Sequence, residues 1–442
     1  MATVGLMSSA LSIELLNHAS VIFQCGNFSL LFDPWFSGTC FRENWGLRFS
    51  NPEALDKAAS STHLWISHPH EDHLHIPTLK QLAEKAPKIT VLANISENIS
   101  GPDFLKKLGF SNIIDLGERK RLSLNNDISV IRYPASRIDN MLVVNIAGMK
   151  VLNYNDCNLP ADALRMVVRE FGPIDILLCN YNHAYKFWNY ESHEAVKARL
   201  KQRFSSIMRE VRPKWVIPFA SLHYYRSPYS NYQNSSLLTP EDLAELAPGS
   251  LLALHVGDSV HWSQAEGPVI DRRNPALAQS DLDEKNYKNA SEWSKILEAC
   301  QKYCDKLRKS FPGISLWMQP VRILIDDQKR MIELNFRSGA REIPAESTPV
   351  HMQLQSETLV NCFTKPFGMD ALWIGADFSF KPEVVSVVHR FVFLGMLMDN
   401  GLAASNLIRI PFQPQRWSFF INRREEIAAI IKQHKFNLGE RV

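Results

Sequence analysis

Short apolar runs separated by turn residues open the chain. Residues 13–16 (IELL), 20–23 (SVIF) and 29–32 (SLLF) read as strands, and Gly26-Asn27 as a hairpin turn between the last two. Residues 63–67 (HLWIS) predict a buried strand and residues 76–86 a helix. Residues 35–50 are rich in aromatics and follow neither the helical nor the strand period, which predicts a loop. The strands continue through TVLA and SVIRY into MLVVNIAGMKVLNYND, a hairpin over Ala147-Gly148. A strand at 175–180, a polar helix from about 191 to 210 and a strand at 214–219 complete the alternation. Interleaving of this kind predicts an α/β fold, with mixed sheets covered by helices.

Residues 266–288 are polar, carry two prolines and a run of charges, and read as a linker. Beyond it, a helix over 291–310, strands near 315–325 and 330–337, and an apolar segment at 384–398 predict a second, α+β unit. That last segment is shorter than the ~20 residues that span a bilayer, so a core helix is expected.

Composition narrows the picture. With 442 residues, 45% hydrophobic and 21% charged, the chain is globular and long enough for two or three units. The net charge of +3 is dispersed, which argues against a nucleic-acid or membrane partner. No Lys or Arg precedes the first apolar stretch, and the seven cysteines are odd in number and scattered. A cytoplasmic protein with reduced thiols is expected.

The chemistry concentrates in WISHPHEDHLH, residues 65–75, where His68, His70, Asp72 and His73 form H-x-H-x-D-H directly after a strand. Imidazole and carboxylate ligate zinc or non-haem iron, and this spacing lets four groups converge from one turn. His68 and His70 can serve one ion, Asp72 and His73 a second. In the neighbouring loop, Trp35, Arg42 and Trp45 offer aromatic faces and a guanidinium to a substrate. Both Trp residues could equally pack the loop onto the sheet. His183, in NYNHAY, is a further candidate on the substrate side. His18 and His75 are expected to bond to backbone or to groups behind the ligands. Residues 289–442 show no cluster with ligand spacing and should supply no ligand. Within them, 365–380 suits either a wall over the site or a core strand.

This motif, preceded by LLNHAS (15–20) and LLFDPW (30–35), resembles the metallo-β-lactamase fold superfamily. The similarity is greatest to the metallo-β-lactamase-like portion of the CMP-N-acetylneuraminate hydroxylase family and covers most of residues 11–400. The segments that carry it are Phe32-Asp33-Pro34-Trp35, Gly38, Phe41-Arg42, Trp45, Ile66 to Leu74, Pro77-Thr78-Leu79, Leu152-Asn153, Asp156-Cys157 and Pro218-Phe219-Ala220. The resemblance implies an αββα sandwich over residues 11–265, a linker over 266–288 and a C-terminal α+β domain over 289–442. It also implies that Asp156 bridges two metal ions and that His223 is the last His ligand. Two departures stand out. The C-x-H and C-x-x-H patterns of a Rieske cluster do not occur in this sequence, so electrons would come from a separate donor protein. Ala135 stands where the fold usually offers another His ligand, with Asp139 four residues later.

Three functions remain open at this stage. The resemblance implies a di-iron oxygenase that hydroxylates a small or carrier-bound substrate. A dinuclear hydrolase, with zinc as the alternative metal, would attack an ester, thioester, lactone or phosphodiester through metal-activated hydroxide. Asp72 would then orient that hydroxide and relay a proton. A binding protein with a degenerate site draws only on Ala135.

Overall fold

The computed structural model describes residues 10–93, 101–135, 139–184, 191–263, 267–273, 283–287, 290–345 and 349–399. Two sheets stack face to face. The larger has eight strands in the order Gly267–Asp271, Ser259–Ser263, Leu11–Asn17, Ser20–Cys25, Phe28–Phe32, His63–Trp65, Thr90–Ala93, Asn112–Asp115. The smaller has six, in the order Trp215–Pro218, Ile176–Cys179, Met149–Asn155, Asn140–Ile146, Ser129–Pro134, Arg121–Ser123.

The period of two along each strand decides what lies where. Leu11, Ile13, Leu15 and Phe23 point inward and meet Val130, Leu142, Val144 and Ile176 of the second sheet. Residues of the opposite parity, such as Ile22, Leu31, Leu64 and Val91, pack outward with Ala54, Leu79, Leu82 and Leu105. These come from helices Ala54–Ala59, Ile76–Lys85 and Pro102–Leu108. On the other side Tyr133, Val143, Leu152 and Leu177 pack with Leu164, Val167, Val196 and Phe204, on helices Ala161–Phe171 and His193–Val211. This is the αββα sandwich. Each fully buried aliphatic or Phe side chain contributes ~1.5–3 kcal/mol, so the layers cohere through apolar burial alone.

Parallel pairing gathers the loops. Phe28–Phe32 runs parallel to His63–Trp65, and Met149–Asn155, Ile176–Cys179 and Trp215–Pro218 are mutually parallel. Their following loops therefore emerge at one end of the sandwich, bringing residues near 33, 68, 156, 180 and 223 within reach of one another.

Four expectations change. Residues 35–50 hold the short strands Thr39–Cys40 and Trp45–Leu47, which form a three-stranded sheet with His223–Tyr225. Gly267–Asp271, inside the stretch read as a linker, is an edge strand; only its neighbour Ser259–Ser263 pairs with it, so it needs no apolar alternation. Residues 314–317 are helical, not extended. The segment 365–380 contains the helix Gly368–Gly375, not a core strand.

The C-terminal unit is a four-stranded sheet (Gly339–Ile343, Arg330–Asn335, Val321–Ile325, Met352–Leu354) backed by helices Trp293–Ser310, Ser356–Thr364 and Val385–Asp399. Val388, Phe391 and Val392 of the last helix are buried in its core, as the apolar pattern predicted. Among the described residues no helix is long and apolar enough to cross a membrane. Ala371, Ile374 and Ala376 pack against Trp35, Phe41, Trp45 and Tyr225 of the sandwich.

Candidate metal centre

The turn carrying the His-rich motif is clamped at both ends. Ser67 N donates to Asp33 Oδ1 (2.7 Å), and Asn140 Nδ2 donates to Ser67 O (2.9 Å). Leu74 N closes the turn on His70 O (2.7 Å), and His75 accepts from Thr78 N to cap the helix that follows. His75 thus has the backbone role expected of it, and burial lowers its pKa to about 4.

His68, His70, Asp72 and His73 of the motif lie in one cluster with Asp156. His73 Nε2 lies 3.2 Å from Asp72 Oδ2 and 3.3 Å from Asp156 Oδ2. The rings of His68 and His73 are 4.1 Å apart, and those of His68 and His70 4.6 Å. Two groupings have all their ligand atoms within 4.8 Å of one another: His68, His73 and Asp156, and His68, His70 and Asp139. Asp139 had no role beyond its place after Ala135. Ala135 N donates to Asp139 O (2.8 Å), and the Asp139 carboxylate groups with His68 and His70.

Hydrogen bonds assign the ring protons. Ser67 Oγ gives its proton to Asp33 Oδ2 (2.8 Å), so it accepts from His68 Nδ1 at 2.9 Å. His73 Nδ1 donates to Asp33 Oδ2 (3.0 Å). Both arrangements turn the buried Nε2 atoms toward the cluster; that of His68 has no hydrogen-bond partner among the described residues, and that of His73 faces the two carboxylates. A third grouping, His18 with Asp72 and His73, reads differently. His18 Nδ1 accepts from Leu222 N (3.1 Å), so its proton sits on Nε2 and is donated to Asp72 Oδ2 (3.2 Å). His18 therefore orients a candidate ligand.

Asp156 is held from behind. Asn180 Nδ2 donates to its Oδ1 (2.9 Å), and Arg203 Nη2 donates to Asn180 Oδ1 (3.0 Å). His223 falls in none of these groupings; its ring is 5.7 Å from that of His18 and stacked on Trp45 at 3.7 Å. Both of its ring nitrogens are buried without a hydrogen-bond partner among the described residues. Trp35 and Trp45 are fully buried; each indole N–H lacks an acceptor among the described residues. The Nε of Arg42 is likewise buried and unbonded. His183 stands one ring further away, its Nδ1 2.8 Å from Tyr225 Oη.

Three carboxylates crowd one buried imidazole. Burial alone would lower His73, yet Asp72, Asp156 and Asp33 push it well above the imidazole range. Burial would raise Asp156, yet His73 brings it down to about 2. Burial, reinforced by His73 and His70, drives His68 far down and leaves it neutral. Burial followed by His18 and His183 does the same for His223. Ligand atoms bound to one ion at ~2.0–2.2 Å lie ~3 Å apart, which the spacings around His73 match. Bare imidazole nitrogens and carboxylates at such distances fit a metal. Each left unpaired would cost ~1–3 kcal/mol.

Besides Asp139, sequence reasoning gave no role to Asp33. Its segment marked a resemblance, and nothing local showed that it would reach His73.

Residues 12–220 match the Beta-lactamase superfamily domain. Cytidine monophosphate-N-acetylneuraminic acid hydroxylase of Xenopus laevis is 26% identical over 287 residues, 61% of this chain and 47% of that protein. Its Danio rerio counterpart is 24% identical over 291 residues, 60% and 47%. The chain spans about half the length of the curated relatives it matches. Among solved structures, the diiron β-hydroxylase CmlA of Streptomyces venezuelae is similar at 15% identity and a TM-score of 0.40, over 57% of this chain and 54% of that one. The chain is thus similar to the β-lactamase superfamily domain over residues 12–220, the part that builds most of the αββα sandwich.

Proposed function

We propose that the protein is an oxygenase with two metal ions, iron rather than zinc, that hydroxylates a small or carrier-bound substrate. One observation carries most of this reading: the carboxylate Asp139, not an imidazole, accompanies His68 and His70. Mixed imidazole and carboxylate donors suit non-haem iron. The likeness to hydroxylases also runs over 287 residues, further than the superfamily domain at 12–220.

In this reading His68, His70 and Asp139 would hold one ion and Asp72, His73 and His223 the other, with Asp156 available to either. Bound there, the ions supply Lewis acidity and redox chemistry toward dioxygen. The chain's own groups do the rest. Asp33 keeps the Nε2 atoms of His68 and His73 turned to the centre, directly at His73 and through Ser67 at His68. His18 fixes Asp72, and Asn180 occupies one oxygen of Asp156 so that the other faces His73. Trp35 and Trp45 exclude water, while Arg42 and His183 stand on the substrate side. Electrons come from a donor outside this sequence.

A second reading rests on Asp72, a buried carboxylate placed to orient an attacking water for hydrolysis of an ester, thioester, lactone or phosphodiester. Metal analysis with oxygen uptake separates the two. About two equivalents of iron and reductant-dependent dioxygen consumption support the oxygenase. Tightly held zinc with thioester cleavage and no oxygen uptake overturns it.

A further inference from the structure

Asp377, fully buried just beyond the helix Gly368–Gly375, accepts four hydrogen bonds. Ser227 Oγ (2.7 Å) and Tyr287 Oη (2.5 Å) donate to Oδ1, and Lys285 Nζ (2.7 Å) and Thr358 Oγ1 (2.6 Å) to Oδ2. The donors come from both units of the chain. Lys285, itself buried, gives a further proton to Asn44 Oδ1 (2.9 Å). Asn44 immediately precedes Trp45, whose indole lies on His223 with the ring planes 11° apart.

Asn44 is held on its other sides as well. Its N donates to Cys40 O (3.1 Å) and its O accepts from Arg226 N (2.8 Å). A Cβ on Gly375 would lie 2.8 Å from Asn44 Nδ2, so the C-terminal helix closes over this residue with no room left. The turn before it is strained: Phe41, Arg42 and Glu43 take φ values of 50, 58 and 65° in succession. Such a turn persists only when its surroundings hold it. Glu71 Oε2 accepts from Phe41 N at one end, and Arg226 Nη1 donates to Glu43 O at the other.

A buried ion pair adds little net stability compared with apolar packing, even with its hydrogen bonds filled, but it does specify one arrangement. The apolar contacts of Ala371 and Ile374 already join the two units. What the charged network adds is the position of one loop residue beside the metal site.

We propose that Asp377 is a positioning residue for the metal centre: through Lys285 and Asn44 it sets the plane of Trp45 against His223. The inference rests on the reading that His223 contributes to that centre.

The test uses the full chain, stripped of metal and titrated with cobalt(II), whose visible bands report its ligands. Asn44→Ala cuts the link to Lys285 and leaves the Asp377–Lys285 pair intact; Asp377→Asn removes the hub's charge. Both variants are expected to bind one equivalent as the unmodified chain does and the other about tenfold more weakly or worse. The near-ultraviolet circular dichroism of Trp45, taken as the difference from Trp45→Phe, should shrink in both. Asn44→Asp, which keeps an acceptor for Lys285, should restore both signals. Lower thermal stability with unchanged cobalt binding and an unchanged Trp45 signal would overturn the proposal. If Asp377→Asn does not fold, Asn44→Ala decides. If the unmodified chain binds no cobalt, the metal-centre reading fails, and the Trp45 signal in Asn44→Ala still decides the coupling.

Discussion

Asp33 Oδ2 lies 3.0 Å from Nδ1 of His73 and also accepts from Ser67 Oγ (2.8 Å) and Asn155 Nδ2 (2.8 Å). One carboxylate thus governs the proton on two candidate ligands, directly at His73 and through Ser67 at His68. Asp33→Asn replaces one of those acceptors with a donor and frees the His73 ring to turn. Metal affinity should fall about 10–100-fold, read by competition with a chromophoric chelator. An unchanged affinity would mean that Asp33 only supports the turn.

His70 is only partly buried and belongs to none of the apolar clusters. His70→Ala should therefore abolish activity and empty the ion site it shares with His68 and Asp139, while the metal-free protein unfolds within about 0.5 kcal/mol of the unmodified chain. Full activity in this variant would refute the metalloenzyme reading altogether.

Asp139 gives a sharper test of the ligand set. If it takes the place left by Ala135, Asp139→Ala should lower bound iron from about two equivalents toward one, measured by elemental analysis, and leave the circular dichroism intact. Two equivalents retained would mean that Asp139 is not a ligand.

How much of this was legible in the sequence follows the range of the interactions. H-x-H-x-D-H is local, and the strands around it obey a simple period, so the motif and the mixed sheets could be read directly, whereas the sandwich was implied by the family resemblance. Asp33 and His73 meet across 40 residues, and Lys285 and Asp377 across 92, distances over which no periodicity connects two side chains. The edge strand Gly267–Asp271 lacks the apolar alternation that a core strand would show. In 365–380, glycines and aromatics hid a helix because Gly375 serves close approach to Asn44, not chain reversal.

From the sequence alone, cutting the chain after residue 288 should spare metal binding and remove turnover. The structure changes that expectation. The cut takes Asp377 from Lys285 and uncovers the apolar wall of Trp35, Phe41 and Trp45. Breaking a buried pair costs ~3–5 kcal/mol against a total stability of ~5–15 kcal/mol. The truncated protein should be insoluble or unfold well below the full chain in a thermal melt. A soluble fragment with an unchanged midpoint would show that the C-terminal unit is dispensable for folding.

The same pair makes a prediction about acid. Burial would raise the Asp377 carboxyl, but the Lys285 charge, with hydrogen bonds from Lys285, Thr358 and Tyr287, holds it below its ordinary value of 3.8. The folded chain therefore takes up this proton less readily than the unfolded chain does. The stabilisation is fully present above the unfolded value and disappears as pH falls through the folded one. Asp377→Asn lacks it at every pH. Urea unfolding at pH 7 should show the variant less stable by several kcal/mol, because Lys285 stays buried without its partner. From about pH 4 downward the gap between the two proteins should narrow, since only the unmodified chain loses this contribution. A gap that stays constant between pH 5 and pH 3 would mean that the carboxylate of Asp377 does not hold the two units together.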